Sequence, residues 1–330
     1  MKKTTLLSIV VVVMHLAVGV IAFAQQPGKM LRIGFLDLST ASGIDVLLDA
    51  FRQELLKLGW VEGKNVTIEY RFAEQKTERL PDLAAELARL KLDLIVVAGT
   101  PSALAAKKAT STIPIVMANA GDPVGTGLVA SLARPGGNVT GLESLSTDLN
   151  TKRLEILKDA IPKLRRVGLL RPPGQNLSWE LQIKELMSAA GALKLKLEEI
   201  DTPLDTKGFE NAFKTAKQMQ MGAMMTITTR PFFGERKRIV ELAGRYRLPA
   251  IYFQKEFVDE GGLMAYGVDY DSLYRGAAVY VDKILKGAKP ADLPVQQATK
   301  FEFVINLKAA KQIGLTLSPE FLSRAYKVIK

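Results

Sequence analysis

The chain has 330 residues, 48% of them hydrophobic and 24% charged, with a formal net charge of +11. Its single histidine is His15 and it has no cysteine, which excludes a Cys-His pair, thiolate zinc sites and a disulfide framework. The basic excess lies on segments such as Lys152 to Lys163 that read as solvated helix faces, without the interleaved aromatics of a nucleic-acid surface.

In chain order, Lys2 and Lys3 precede an apolar run from Leu6 to Val20 and the small-x-small triplet Ala22-Phe23-Ala24. This reads as a signal peptide over residues 1–24, short for a retained span of about 20 residues. Its removal takes His15 with it, and a Ser-His-Asp triad is then excluded as well. The expected product is soluble and periplasmic or otherwise extracytoplasmic, not lipid-anchored through a cysteine.

The remainder is long for one core and suits two. Short runs rich in Val, Ile, Leu and Tyr alternate with segments of helical apolar spacing, and the pattern occurs twice. The first pass runs from "LRIGFLDL" through "VTIEYRF" and "LDLIVVAG" to "IPIVMAN"; the second runs from "RRVGLLRP" through "LKLKLEEI" and "GAMMTITT" to "LPAIYFQ". A proline enters the last strand of each pass, Pro114 and Pro249. The expected fold is α/β: two similar doubly wound parallel-sheet lobes joined by a multi-strand hinge, rather than one continuous sheet. The lobes are expected at residues 30–143 plus 264–293 and 144–263 plus 298–330, with crossings near Gly141 to Ser146, Gly261 to Tyr266 and Pro294 to Lys300.

Parallel sheets place ligands beyond the carboxyl ends of their strands. In the first lobe those ends carry Ser39, Thr40 and Ser42, then Thr100 and Ser102, then Asn119 and Asp122. Thr100-Pro101 reads as a helix N-cap followed by proline, with backbone donors aimed outward; Asp122-Pro123 reads the same way, and Asp122 is also a candidate acceptor for a ligand ammonium. The second lobe offers Arg171, Gln175, Asn176 and Ser178, then Thr228, Thr229 and Arg230, then Gln254. Arg171 and Arg230 suit a carboxylate, because a guanidinium is planar and always charged. Phe232, Phe233, Tyr252 and Tyr266 are candidates for an apolar wall or for core.

Signals for catalysis are poor. The chain has no G-x-x-x-x-G-K-[ST] loop and no G-x-G-x-x-G after its first strand. Glu198 and Glu199 point to opposite faces of a strand, and nothing in the spacing of Asp122, Asp269 and Asp271 demands a metal. No cofactor and no metal are expected.

The stretches "LGWVEGKNVTIEYRFAE", "IPIVMANAGDPVGTGLVASLARPGGNVTG", "GGLMAYGVDY" and "ILKGAKPADLPVQQATKFEFVINLKAAKQIGL" together resemble bacterial ABC transporter substrate-binding proteins of the tryptophan/tyrosine-binding type. Asp122-Pro123-Val124-Gly125 and Lys300-Phe301-Glu302-Phe303 are the most specific. The resemblance implies a type I periplasmic binding fold closing on a small molecule near Ser39 and Thr40, Thr100 to Ser102, Asn119 to Asp122 and the loop after Leu170. Where relatives carry Tyr-Asn-Pro and Ser-Asp-Asn, this chain has Leu170-Arg171-Pro172 and Thr229-Arg230-Pro231; the arginines favour an aromatic or short aliphatic carboxylate over a zwitterion.

The expected function is therefore a non-catalytic, monomeric solute receptor that delivers an amino acid or organic acid to an ABC permease in the inner membrane. The expected ligand-binding residues are Ser39, Thr40, Thr100, Ser102, Asn119, Asp122, Arg171, Asn176, Arg230 and Tyr266. The alternatives are a secreted α/β enzyme using carboxylates or a metal, and a sensor module for a membrane receptor.

Overall fold

The computed structural model describes residues 30–174 and 176–330. The expected signal peptide and the candidate Gln175 lie outside them.

The first lobe starts with β1 (Leu31–Asp37), α1 (Asp45–Lys57), β2 (Val66–Phe72), α2 (Leu80–Arg89) and β3 (Leu94–Ala98), followed by α3 (Thr100–Ala109), β4 (Ile115–Ala120) and β5 (Val139–Glu143). Every residue of β3 and β4 is buried, the pattern of strands covered by helices on both faces. Side-chain alternation sorts the core into two layers. Ile33, Phe35 and Val96 face one way, while Leu36, Ile95 and Val97 face the other.

The chain then builds the second lobe from α4 (Ser146–Ala160), β6 (Arg166–Arg171), α5 (Leu177–Ala192), β7 (Lys196–Asp201) and α6 (Thr206–Gln218). It continues with β8 (Ala223–Thr226), α7 (Arg230–Gly234), α8 (Arg236–Arg245), β9 (Ala250–Tyr252), α9 (Glu256–Asp259) and β10 (Met264–Val268). Helix α10 (Tyr270–Leu285) and β11 (Gln296–Gln297) return to the first lobe, and β12 (Phe301–Asn306), α11 (Leu307–Ile313), α12 (Pro319–Leu322) and β13 (Lys327–Ile329) finish the second.

Two separate sheets result, with strand orders β11-β5-β4-β3-β1-β2 and β13-β12-β10-β9-β8-β6-β7. Pairing is parallel except between β10 and β12. The lobe boundary differs from the sequence expectation in one place. Met264–Val268 was expected in the first lobe, but β10 pairs with β9 and β12 inside the second sheet. The chain crosses after it, at Asp269, so the crossing expected near Gly261 to Tyr266 falls later. An apolar strand fits either sheet, and the partner strand decides which.

The three crossings are tied to the lobes and to one another. Ser144 donates its N–H to the Ala120 carbonyl at 2.8 Å, Ala298 to Glu143 at 2.9 Å and Asp269 to Lys300 at 3.0 Å. Such a waist restricts relative motion of the lobes to a hinge. Beside it, Gly141 has φ +131°, and a Cβ there would lie 2.3 Å from the Met117 carbonyl oxygen, so β5 can approach β4 only with glycine at this position. Among the described residues no helix is long and apolar enough to cross a membrane.

Candidate functional site

The carboxyl ends of the two sheets face each other across a cavity of about 50 Å3. The first lobe contributes Leu38 after β1, Gly99 to Pro101 after β3, and Asn119 and Gly121 at the end of β4. The second contributes Thr228, Thr229 and Arg230 after β8, Phe253 and Gln254 after β9, and Ser178, Trp179 and Gln182 from α5. Ser144, Ser146 and Tyr270 close it from the crossings. Trp179, Phe253 and Tyr270 give it an aromatic lining.

Gly99, at φ +83°, rather than Thr100, occupies the N-cap of α3, with no side-chain cap. This corrects the expected capping role of Thr100. Glycine takes the left-handed turn freely, and the Thr100 hydroxyl instead donates to the Gly121 carbonyl at 3.1 Å and accepts from the Gly121 N–H at 3.0 Å. The ends of β3 and β4 are thereby fixed to one another under the cavity. Ser102 is fully buried in the first turn of α3, its hydroxyl without a partner.

Arg230 is the centre of the site. It is 7% exposed, and its Nη2 donates across the cleft to Asp37 Oδ2 at 3.2 Å and to the Tyr274 hydroxyl. Burial works most strongly against the guanidinium charge, but Asp37, Tyr274 and Tyr270 together outweigh it and raise the pKa. Nε and Nη1 of the same guanidinium have no partner. Around the cavity the Thr229 hydroxyl, Asn119 Oδ1 and both amide atoms of Gln254 are also buried and unpartnered. Buried polar groups in folded proteins are nearly all hydrogen-bonded, so unpartnered atoms gathered on one cavity mark a place for a polar guest.

Behind this wall lies a second guanidinium. Arg153, on α4, is 1% exposed and donates to the Tyr266 carbonyl at 2.6 Å, to Thr228 Oγ1 at 3.1 Å and to Asn150 Oδ1. Gln182 completes the network, accepting from the Thr228 N–H at 2.9 Å and from Asn150 Nδ2 at 2.7 Å. Burial pushes the Arg153 pKa down to about 10. The expectation that the basic residues of 152–163 all lie on a solvated face is corrected here: Arg153 is on the inner face of α4.

Of the sequence candidates, the fold brings Thr100, Asn119, Ser178, Thr228, Thr229, Arg230 and Gln254 together on the cavity, while Ser102 is buried outside its lining. Ser39 is buried beneath the cavity's edge, donating its N–H to Asp37 Oδ1 at 2.7 Å. Thr40 stands at the cleft mouth with Ser42 and Arg236. Asp122 faces a different depression with Glu143 and Asp148 and accepts from its own Gly125 N–H at 2.8 Å. Arg171 lies on the rim, beside Glu199 at 3.3 Å, Glu180 at 3.7 Å and Asp201 at 3.9 Å. Asn176 caps α5, accepting from the Ser178 and Trp179 N–H groups. Tyr266 packs edge-to-face on Phe303. Asp122, Arg171, Asn176 and Tyr266 are thus outside the cavity lining, each held by a local partner.

Sequence reading missed Asp37, Tyr274, Arg153, Trp179 and Gln182. Asp37 carried a usable signal, a carboxylate directly after the apolar run Ile33-Gly34-Phe35-Leu36; the helix residues carried none, because only tertiary packing turns their faces inward. Phe232, Phe233 and Tyr252 are core.

The sequence profile of the family described as ABC transporter substrate binding protein matches residues 37–329. The chain is 28% identical over 288 residues to a tyrosine-binding protein of Clostridioides difficile, covering 87% of this chain and 82% of that one. It superposes on the ABC domain in complex with L-Trp from Streptococcus pneumonia with a TM-score of 0.82 and 26% identity, over 91% of this chain and 100% of the other. Against the ligand-free, open structure of a substrate binding protein with adhesive properties from Clostridium difficile, the TM-score is 0.64 at 25% identity, over 91% and 99%. At nearly equal identity and coverage, the TM-score is higher against the ligand-bound structure than against the open one. The two parallel-sheet lobes are those of the type I periplasmic binding fold, and the chain belongs to the ABC transporter substrate binding protein family.

Proposed function

We propose that this chain captures a small carboxylate or amino-acid-like solute between its lobes and delivers it, in the closed form, to an ABC permease in the inner membrane. It acts as a monomeric extracytoplasmic receptor without catalysis. The observation that carries this reading is the group of unpartnered polar atoms on one interlobe cavity: Arg230 Nε and Nη1, the Thr229 hydroxyl, Asn119 Oδ1 and the Gln254 amide. The unpartnered Nε and Nη1 of a guanidinium suit a carboxylate, which accepts charge-assisted hydrogen bonds from them. The tyrosine-binding relative and the L-Trp complex favour a solute of amino-acid size and shape. Ligand contacts reached from both lobes favour the closed form, and the population shift is the signal a permease reads.

The test is thermal unfolding against a panel of amino acids and organic acids. A ligand at 100 times its Kd adds about 2.7 kcal/mol. A saturable stabilisation is expected from at least one compound, with a matching isotherm by calorimetry. Absence of binding by every amino acid and carboxylate tried defeats the reading.

A further inference from the structure

Within the reading above, and resting on it, the charge around the cavity selects between the two solute classes. We infer that the guest is a net anion, a carboxylic acid without an ammonium group, with a flat or short apolar body. Among the described side chains that line the cavity, Arg230 alone carries a formal charge. The carboxylate nearest to it, Asp37, already faces the Arg230 guanidinium at 3.2 Å. An ammonium group of a zwitterion would enter a space with no free carboxylate on its wall.

The layer behind the wall points the same way. Arg153 is fully enclosed and makes no ion pair among the described residues; its donors go to a backbone carbonyl, a hydroxyl and an amide oxygen. One of these partners, Thr228, lines the cavity, so the Arg153 charge lies one side chain from the guest. Its lowered pKa reflects a burial cost that no carboxylate relieves. Two fully enclosed guanidinium groups stand against one fully enclosed carboxylate, and Glu256, which also acts on Tyr270, has Lys255 beside it, so the enclosed region keeps a surplus positive charge. In a low-dielectric interior a monoanion is attracted by that surplus, and an added ammonium is repelled by it.

The neutral groups fit the same guest. The Thr229 hydroxyl and the free Arg230 N–H groups donate to a carboxylate, while the Asn119 and Gln254 amides can present either an oxygen or an NH2. They would accept a hydroxyl or an oxo oxygen in the position where an amino acid carries its nitrogen. Trp179, Phe253 and Tyr270 would flank the apolar body.

Calorimetric titration of matched pairs tests this. Tryptophan, tyrosine, phenylalanine and leucine are each compared with the same molecule bearing hydrogen or hydroxyl in place of the ammonium. The expected result is that the acid of the best pair binds at least ten times more tightly than its amino acid. An amino acid that binds as tightly as its deaminated partner, or more tightly, overturns the inference while leaving the receptor reading intact. Failure of both classes to bind overturns the receptor reading and the inference with it. Asn119→Asp, an isosteric change that puts a carboxylate on the cavity wall, is expected to weaken the acid and narrow the gap at least threefold; an unchanged ratio counts against the charge argument.

Discussion

Replacing Arg230 by methionine removes the charge that spans the cleft while keeping most of the side-chain volume. Asp37, fully buried, then retains the Ser39 N–H at 2.7 Å and the neighbouring Tyr274 hydroxyl, and no cation. Removing one member of a buried ion pair typically costs about 3–5 kcal/mol, because the other charge is left uncompensated. Here that cost has an exit. Asp37 belongs to the first lobe and Arg230 to the second, so opening the cleft hydrates the orphaned carboxylate without unfolding either lobe. Arg230→Met is therefore expected to shift the ligand-free protein toward an open form, and its loss of global stability is capped by the free energy of opening. For a loss of about 3 kcal/mol, the usual 2–4 °C per kcal/mol in chains of 150–250 residues gives a ceiling of roughly 6–12 °C in Tm. Asp37→Asn removes the stranded charge, so the double variant should recover most of what Arg230→Met loses, with a coupling of about 2–4 kcal/mol. The assay is small-angle scattering of the four ligand-free proteins alongside their thermal melts. An Arg230→Met protein that scatters like the parent and melts within about 1 °C of it, well inside that ceiling, refutes the role given to the pair.

Other changes test the rest of the site and its frame. Arg171→Ala removes a rim cation shared by several acidic side chains, so it should cost no more than about 1 kcal/mol and leave ligand affinity unchanged by calorimetry; lost binding would return Arg171 to the site. Gly141→Ala forces a Cβ against the Met117 carbonyl and should cost about 2–4 kcal/mol by urea unfolding, whereas near-parental stability would show that β5 can move away from β4. Burial alone would raise the Asp269 pKa, but the hydroxyl and N–H of Ser272 hold it below the ordinary 3.8. Its stabilisation is thus fully present above the unfolded value and is lost as pH falls through the lower folded one. Asp269→Ala should cost about 1 kcal/mol at neutral pH as the lost cap of α10, with the gap to the parent closing below pH 4; a gap that persists in acid refutes this. The chain has two tryptophans, so Trp60→Phe leaves Trp179 as the sole indole, and its emission should change on ligand binding with the calorimetric Kd; a silent signal would place the ligand elsewhere.

The comparison of Arg171 with Arg230 marks how far sequence could reach. Both arginines follow an apolar run toward the carboxyl end of a parallel strand, Arg171 as the last residue of β6 and Arg230 four residues past β8, and both read from sequence as strand-end cations. Strand order separates them. β6 pairs with the edge strand β7 in a register that sets Arg171 opposite Asp201, while the loop after β8, between β6 and β9, delivers Arg230 to the cleft. Arg153 shows the same limit on a helix: Lys152 and Arg153 are adjacent in sequence but about 100° apart around the axis, and only the packing of α4 on the second lobe decides which one is buried.

What the sequence determined by itself was the class of the molecule: alternating strand and helix periods repeated twice, apolar runs requiring cover on both faces, and polar residues at the strand ends. These follow from local chemistry, since period, burial and turn propensity are properties of neighbouring residues. The assignment of β10 to the second sheet, the partner of Arg230 and the inward face of Arg153 were decided by the tertiary structure. Each depends on which distant segment lies alongside, and charge complementarity across a cleft exists only once two lobes have folded and met.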